Sequence, residues 1–369
     1  MSEKPSEDLL ETISEILPPL LNCLEALGFV ARHLHPPQLD QVMANVGDID
    51  ADLRAKLPGF LSAQWPEGLV PFKDRVAKSA EAACQAFDGL RGAATDPNGA
   101  MAAYRALRRY TRAVEVLSPV ASTLPPVSQF YLDHERQGDA GLIARLDNAD
   151  AGRDNVGVLH AENGRDQRGG CSIYVPEYYD ETQSYPLIMA MHGGSGHGRG
   201  FLWTWLNTAR TNGAILVSPT SRGDTWSLMG PDIDSENLDH ILEQVCGRWN
   251  INREKLLLTG MSDGGTFSYV SGLRKESPFT HLAPISAAFH PMLLEMMDPG
   301  RIKDLPVYLV HGAWDWMFPV DIARTAQAAL LAAGADVTYS EVADLSHTYP
   351  REENAKIMNW FLGDGARAS

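Results

Sequence analysis

Residues 255–265, Lys-Leu-Leu-Leu-Thr-Gly-Met-Ser-Asp-Gly-Gly, carry the pattern that decides the fold. An apolar β-rich run ends at Thr259, and the glycine-rich turn after it opens a helical stretch. A serine in such a tight strand–turn–helix connection takes a strained backbone conformation, and the residues two before and two after it must be small. The pattern G-x-S-x-G in this context predicts a nucleophile elbow, with the hydroxyl of Ser262 projecting above a sheet at the start of a helix.

Further β-rich runs lie on both sides of this motif, and from Leu187 onward helical stretches separate them. Strands alternating with helices of this kind are typical of a mostly parallel sheet that helices cover on both faces. Only a glycine-rich turn separates the first two runs, which predicts an antiparallel hairpin at the sheet edge. The eight predicted strands are residues 156–160, 172–175, 187–191, 215–218, 255–259, 281–285, 307–310 and 337–342.

The N-terminal part of the chain has a different pattern. Between Leu9 and Leu117, apolar residues recur at three- and four-residue steps, the period of one helix face. Pro18 and Pro19 interrupt the first of these stretches and predict a kink or a break into two helices. We therefore predict an all-α domain over residues 1–150 and an α/β domain over residues 151–369. A lid, a dimer interface for a homo-oligomer and a partner-docking surface remain open as roles for the helical domain.

A serine hydroxyl is a weak nucleophile until a base accepts its proton, so an acid and a histidine are expected downstream. His347 lies in the loop after the last predicted strand, from which it can reach across the top of the sheet. Asp315 lies in the loop after the preceding strand and would fix the tautomer of His347. Asp321 is the second candidate for the acid but fits better in the next helix. Asp344 is too close to His347 in sequence to be the first choice.

Two backbone N–H groups are expected to stabilise the charge that develops on the carbonyl oxygen of a substrate. Asp263, directly after the nucleophile, supplies the first. The second is expected from the loop after the third predicted strand, which reads His192-Gly193-Gly194-Ser195-Gly196. Gly194 is the favoured donor and Gly193 the alternative, since glycines let the backbone approach a ligand closely. The loop lacks the patterns G-x-x-x-x-G-K-[ST] and G-x-G-x-x-G, so nucleotide binding is not predicted.

In this order of oxyanion loop, nucleophile, acid and base, the sequence resembles the α/β-hydrolase superfamily. It is similar to the esterase branch of phospholipase/carboxylesterases, dienelactone-hydrolase-like enzymes and polyhydroxybutyrate-depolymerase/feruloyl-esterase-like proteins, over roughly residues 155–365. The motifs that carry the resemblance are His192-Gly193-Gly194, Gly260-Met261-Ser262-Asp263-Gly264, His311-Gly312-Ala313-Trp314-Asp315 and Ser346-His347.

The resemblance implies an α/β-hydrolase fold with a sheet of about eight strands. It also implies a two-step acyl transfer that uses no metal and no cofactor. Two features depart from the family. Ser195 follows the two glycines where many lipases and esterases have HGGG, and residues 1–150 lie outside the usual family core.

Aromatic side chains surround the predicted site. Trp226, Trp314 and Trp316 lie in loops at the active edge of the sheet and are expected to line an apolar pocket for an acyl or aromatic group. Packing of the loops is the alternative role for each of them. Arg199 and Arg222 fit better as solvated loop residues than as binders of a carboxylate.

The sequence therefore predicts a serine hydrolase that acts on small-molecule carboxylic esters. A peptidase, an amidase and an acyltransferase on the same fold are the alternatives. A further alternative is a binding protein that keeps the hydrolase fold but has lost catalytic activity.

Composition excludes several other classes. The chain has 31 Lys and Arg against 47 Asp and Glu, a net charge of −16, which opposes binding to nucleic acid and to anionic lipid. The polar, acidic first residues do not resemble a signal peptide, and no membrane span is expected. The four cysteines are far apart without a CxxC pair, so free thiols, no metal site and a cytoplasmic location are expected.

Overall fold

A computed structural model of the chain describes residues 7–93, 95–295 and 297–363. Its contacts divide the chain into two compact units, which we call the N-terminal unit (Met1–Tyr131) and the C-terminal unit (Leu132–Ser369). The division falls before residue 150, where the change in sequence pattern places the domain boundary. The reason is a small apolar cluster, in which Tyr178 packs against Leu132, Leu142 and Leu146.

The N-terminal unit is helical, as the apolar periodicity predicts. Its described α-helices are α1 (Glu7–His33), α2 (Leu39–Val46), α3 (Ala51–Ser62), α4 (Val70–Ala93), α5 (Gly99–Leu117) and α6 (Pro125–Phe130). Helices α4 and α5 pack closely, because a Cβ at Gly89 would lie only 2.8 Å from the Cβ of Ala106. Asp50 is buried between α3 and α4, where its carboxylate pairs with Arg54 and Arg91.

Helix α1 contains Pro18 and Pro19 and does not break into two helices. The buried stripe continues past the prolines, from Ile16 to Leu20 and on to Leu27, so packing holds the helix together despite the missing N–H groups. Contrary to the sequence expectation, α1 is long and apolar enough to cross a membrane by length and composition. Half of its most apolar window is buried inside the protein. A cytoplasmic location therefore stays a prediction.

The C-terminal unit is built on an eight-stranded sheet in the order β1-β2-β4-β3-β5-β6-β7-β8. The strands are β1 (Gly157–Ala161), β2 (Cys171–Val175), β3 (Tyr185–Met191), β4 (Ile215–Pro219), β5 (Ile251–Met261), β6 (His281–Ile285), β7 (Pro306–Gly312) and β8 (Asp336–Val342). The pairs β1–β2 and β2–β4 are antiparallel, and all other pairs are parallel. The predicted edge hairpin and mostly parallel sheet are confirmed.

The described α-helices of this unit are α7 (Ala140–Asp147), α8 (Gly198–Asn212), α9 (Ser235–Arg248), α10 (Asp263–Gly272), α11 (Met292–Glu295), α12 (Pro299–Ile302), α13 (Asp321–Ala332) and α14 (Glu353–Leu362). Buried side chains of α9, α10, α12 and α13 form one core with the strands. The central strands β3 and β4 and residues 256–260 of β5 are buried, mostly apolar runs, as expected of strands whose two faces are both covered. The carboxyl ends of the parallel strands meet at one edge, where the predicted functional residues lie.

Candidate active site

The connection from β5 to α10 is the predicted elbow. Ser262 has φ 57° and ψ −120°, a conformation that L-residues rarely adopt. A Cβ at Gly264 would collide with Met191 O and lie 2.5 Å from His192 O, and one at Gly260 would lie 2.5 Å from Gly264 C. The small residues on both sides of the serine are therefore required by the close approach of β3 and by the turn itself.

Ser262, His347 and Asp315 form a hydrogen-bonded chain across the carboxyl edge of the sheet. The Nε2 atom of His347 lies 3.0 Å from Ser262 Oγ, and its Nδ1 atom lies 2.8 Å from Asp315 Oδ2. All three residues are buried. The three side chains come from the ends of β5, β7 and β8, as the sequence predicts, and the distances allow a proton to pass from the serine to the imidazole.

The orientation of the Asp315 carboxylate is fixed by its own loop. Its Oδ1 atom accepts hydrogen bonds from the N–H groups of Met317 (2.9 Å) and Phe318 (2.8 Å), which leaves Oδ2 for His347. His311, buried at the end of β7, closes the same loop, because its Nε2–H donates to Phe318 O at 2.8 Å. The sequence analysis did not assign His311 to the site. Its position four residues before the acid was the available signal.

The other acids considered for this role lie elsewhere. Asp321 is the first residue of α13, its side chain is 81% exposed, and it pairs with Arg324. Asp344 is in the loop that carries His347. Of the three candidates, the structure brings Asp315 to the imidazole.

The His192–Gly196 loop after β3 lies beside the elbow. A Cβ at Gly193 would be 3.4 Å from Ser262 Cβ, and one at Gly194 would be 2.8 Å from Asp263 Oδ2. The N–H groups of Ser195 and Gly196 donate within the fold, to Asp224 O (3.1 Å) and Gly193 O (3.0 Å). The N–H groups of Gly193 and Gly194, the two candidate donors, take no part in these two bonds.

The other predicted donor to the oxyanion is the N–H of Asp263. As the first residue of α10, it has no partner four residues earlier in the helix. Thr225, which the sequence analysis did not identify, holds the Asp263 side chain through a 2.5 Å bond from its hydroxyl to Oδ2. The start of α10 therefore supplies a backbone donor and a favourable dipole next to the serine.

His192 is a neutral structural residue of this loop. Its Nδ1–H donates to Gly193 O at 2.7 Å, and its Nε2 accepts from the N–H of Ser221 at 3.1 Å. Burial lowers the pKa of His192 from 6.5 to about 3. The neutral ring is required here, because Nε2 must remain an acceptor.

The buried His192 makes the stability of the C-terminal unit depend on pH. In the unfolded chain it takes up a proton below about pH 6.5, whereas in the folded unit it stays neutral down to about pH 3. Its contribution to stability is complete above pH 6.5 and falls by up to about 1.4 kcal/mol per pH unit as the pH falls through this window. We expect the free energy of unfolding of H192Q to decrease less steeply than that of the wild type between pH 7 and pH 4.

Urea unfolding followed by tryptophan fluorescence measures this slope, because all tryptophans except Trp65 lie in the C-terminal unit. Parallel pH curves for the two proteins would contradict the assignment of His192 as a buried neutral residue.

The three tryptophans considered for a substrate pocket lie in different environments. Trp226 is only 2% exposed, stacks on Phe267 at 5.3 Å between ring centroids, and donates from Nε1 to His192 O at 2.7 Å. Trp226 therefore packs against the His192–Gly196 loop, which is the packing role given as the alternative in the sequence analysis. Trp314 and Trp316, on either side of Asp315, are 48% and 49% exposed.

Comparison with known proteins finds a family model that is similar to part of this unit. Residues 234–362 match the model of the Phospholipase/Carboxylesterase family. The C-terminal unit has an α/β-hydrolase fold. The matched segment of this α/β-hydrolase unit contains Ser262, Asp315 and His347, whereas the oxyanion loop lies before it.

Two curated relatives match this chain at low identity. Probable feruloyl esterase C of Aspergillus terreus (strain NIH 2624 / FGSC A1156) is 29% identical over 157 residues, 40% of this chain and 56% of that protein. The Bifunctional acetylxylan esterase/xylanase XynS20E of Neocallimastix patriciarum is 26% identical over 157 residues, 41% of this chain and 22% of that protein. The chain thus spans about half the length of the first relative and less of the second.

Among solved structures, that of a thermostable esterase matches with a TM-score of 0.46 at 19% identity. The match covers 57% of this chain and 63% of the other.

Proposed function

We propose that the chain is a serine hydrolase that cleaves carboxylic esters through an acyl-enzyme. The observation that carries this proposal is the buried chain of hydrogen bonds from Asp315 through His347 to Ser262, with lengths of 2.8 Å and 3.0 Å. The family match supports hydrolysis of an ester bond as the chemistry.

In the first half of the reaction, Ser262 Oγ attacks the ester carbonyl carbon while its proton passes to His347 Nε2. Asp315 accepts the Nδ1–H bond throughout, which fixes the tautomer and stabilises the imidazolium. The tetrahedral oxyanion is held by the N–H of Asp263 and by that of Gly194 or Gly193. Collapse of this intermediate breaks the bond to the alcohol, which leaves with the proton from His347.

In the second half, a water molecule gives a proton to His347 Nε2 and attacks the acyl carbon. The same backbone donors hold the second oxyanion. Its collapse breaks the bond to Ser262 Oγ, which recovers its proton from the imidazolium, and the carboxylic acid is released.

We further propose an apolar or aromatic acyl group as the preferred substrate feature. Trp314 and Trp316 lie on either side of Asp315 in sequence, and their half-exposed rings offer apolar contact area in the loop that carries this acid. The names of the two relatives, a feruloyl esterase and an acetylxylan esterase/xylanase, fit hydrolysis of an aromatic or a small acyl ester.

A matched substrate panel tests the proposal. We expect 4-nitrophenyl esters of acetic, butyric and cinnamic acid to be hydrolysed much faster than the 4-nitroanilides of the same acids, with the largest kcat/KM for an apolar or aromatic acyl group. Equal or faster anilide turnover would indicate an amidase. Transfer to an added alcohol in preference to water would indicate an acyltransferase.

Labelling separates a catalyst from a binding protein of the same fold. A fluorophosphonate probe is expected to modify Ser262, as located by peptide mass spectrometry. Absence of modification in the folded chain would favour the binding protein.

A further inference from the structure

Arg168 lies in the turn between β1 and β2, and its guanidinium contacts two loops at the carboxyl edge of the sheet. Its Nη2 donates to Ser221 Oγ at 2.6 Å, and its Nε donates to Ser221 O at 3.1 Å. Its Nη1 and Nη2 donate to Gly196 O at 3.2 Å and 3.3 Å, and Nη2 also reaches Asp224 O at 3.4 Å. The planar fork of one arginine thus satisfies oxygen atoms from three residues at once.

Of these three partners, Gly196 is part of the His192–Gly196 loop, and Ser221 and Asp224 are bonded to it. Ser221 donates its N–H to His192 Nε2 at 3.1 Å. Asp224 O accepts the N–H of Ser195 at 3.1 Å, and Gly196 donates its own N–H to Gly193 O at 3.0 Å. Arg168 therefore bonds to the loop directly at Gly196 and reaches it through one further hydrogen bond from each of Ser221 and Asp224.

The same hairpin turn holds the far end of the loop. His197, the N-cap of α8, donates from Nε2 to Gln167 O at 2.9 Å. Asn163 Oδ1 accepts the hydroxyl of Thr220 at 2.7 Å. The turn between β1 and β2 therefore fixes the oxyanion loop and the loop after β4 relative to each other.

We propose that Arg168 is a positioning residue that holds the N–H groups of Gly193 and Gly194 in place for the oxyanion. This inference rests on the proposed ester hydrolysis. Without the guanidinium, the carbonyl groups of Gly196, Ser221 and Asp224 face one another without a common donor, and the loop relaxes. Donors that are displaced by about 1 Å lose transition-state stabilisation while the ground-state complex is little affected.

Arg222 provides a matched control for the loss of a positive charge. It follows Ser221 directly in sequence and is exposed, and its backbone N–H, not its guanidinium, donates to Asp234 Oδ1. R168Q and R222Q remove the same charge from neighbouring loops, but only R168Q removes the contacts with Gly196 and Ser221. R168K keeps the charge and loses the fork.

The experiment uses the full chain and measures kcat and KM for a 4-nitrophenyl ester. It also measures the Ki of a trifluoromethyl ketone of the same acyl group, which forms a tetrahedral oxyanion adduct with a serine. The burst of 4-nitrophenol counts functional sites, so each constant refers to folded enzyme.

For R168Q we expect kcat to fall about 10- to 100-fold, KM to stay within about twofold and Ki to rise in proportion to the loss in kcat. R222Q is expected to keep all three values within about twofold.

Other results would overturn the positioning role. One is a wild-type kcat and Ki in R168Q, and another is an equal loss of kcat in R222Q. A third is an R168Q protein with fewer functional sites, each of which has the kcat and Ki of the wild type. Where R168Q does not fold, R168K serves as the test variant. We expect its kcat to fall at least about fivefold and its Ki to rise in proportion. Absence of ester turnover by the wild type overturns the proposed function and this inference together. Wild-type turnover with an unaffected R168Q overturns this inference alone.

Discussion

Replacing Ser262 by alanine is expected to lower kcat for 4-nitrophenyl esters by about 10⁵- to 10⁶-fold. The substitution removes the oxygen that His347 Nε2 contacts at 3.0 Å, so no acyl-enzyme can form. What remains is attack by water in a site that still offers the backbone donors of the oxyanion loop and α10. Alanine keeps the Cβ of serine, so the strained backbone at φ 57° is retained and the fold is expected to stay intact.

Ser271 is the control for this substitution. It is a buried serine on α10 whose hydroxyl has no hydrogen-bond partner among the described residues. S271A likewise removes a serine hydroxyl, from the helix that follows Ser262, and is expected to keep wild-type kcat. Circular dichroism and a thermal midpoint on both variants establish that they are folded. Retention of more than a few per cent of ester turnover in folded S262A would exclude Ser262 as the nucleophile.

The sequence predicts the sheet well because most of its strands are continuous apolar runs between helices. The run 255–259 is part of a longer strand, Ile251–Met261, whose first half carries Arg253 and Glu254. An apolar pattern does not identify this charged half as part of a strand. In the structure, the pairing of Tyr185 with Ile251 extends β5 to include it. The cluster around Tyr178 joins residues far apart in sequence, and contacts of this kind give no local signal for a domain boundary.

The residues proposed as the triad could be predicted from sequence because each follows a strand, and strand order fixes which loops meet. The residues that support them could not. Arg168 contacts Ser221, 53 positions away, from a glycine-rich turn that reads as a solvated loop. From sequence, Trp226 is predicted to line a pocket. Its hydrogen bond to His192 O, 34 positions away, shows that it packs against the His192–Gly196 loop instead. Long-range contacts of this kind have no local pattern in a sequence.

Replacing Asp315 by asparagine is expected to lower kcat by about 10⁴-fold at neutral pH with little change in the fold. The reason lies in the hydrogen bonds of this particular loop. The N–H groups of Met317 and Phe318 both donate to the Oδ1 position, so the amide oxygen of the new asparagine must lie there. Its NH₂ group then faces His347 Nδ1, at the place where Oδ2 now accepts at 2.8 Å.

A donor at that place makes Nδ1 the acceptor and moves the imidazole proton to Nε2. The ring then donates towards Ser262 Oγ and cannot accept its proton, so the nucleophile is present but not activated. D321N is the matched control, since Asp321 was the second candidate for the acid and its side chain is 81% exposed. We expect D321N to retain wild-type kcat, and steady-state kinetics on the two folded variants measures the difference. A large loss in D321N with a wild-type D315N would assign the acid to Asp321, because only the residue that holds the imidazole can produce the tautomer defect.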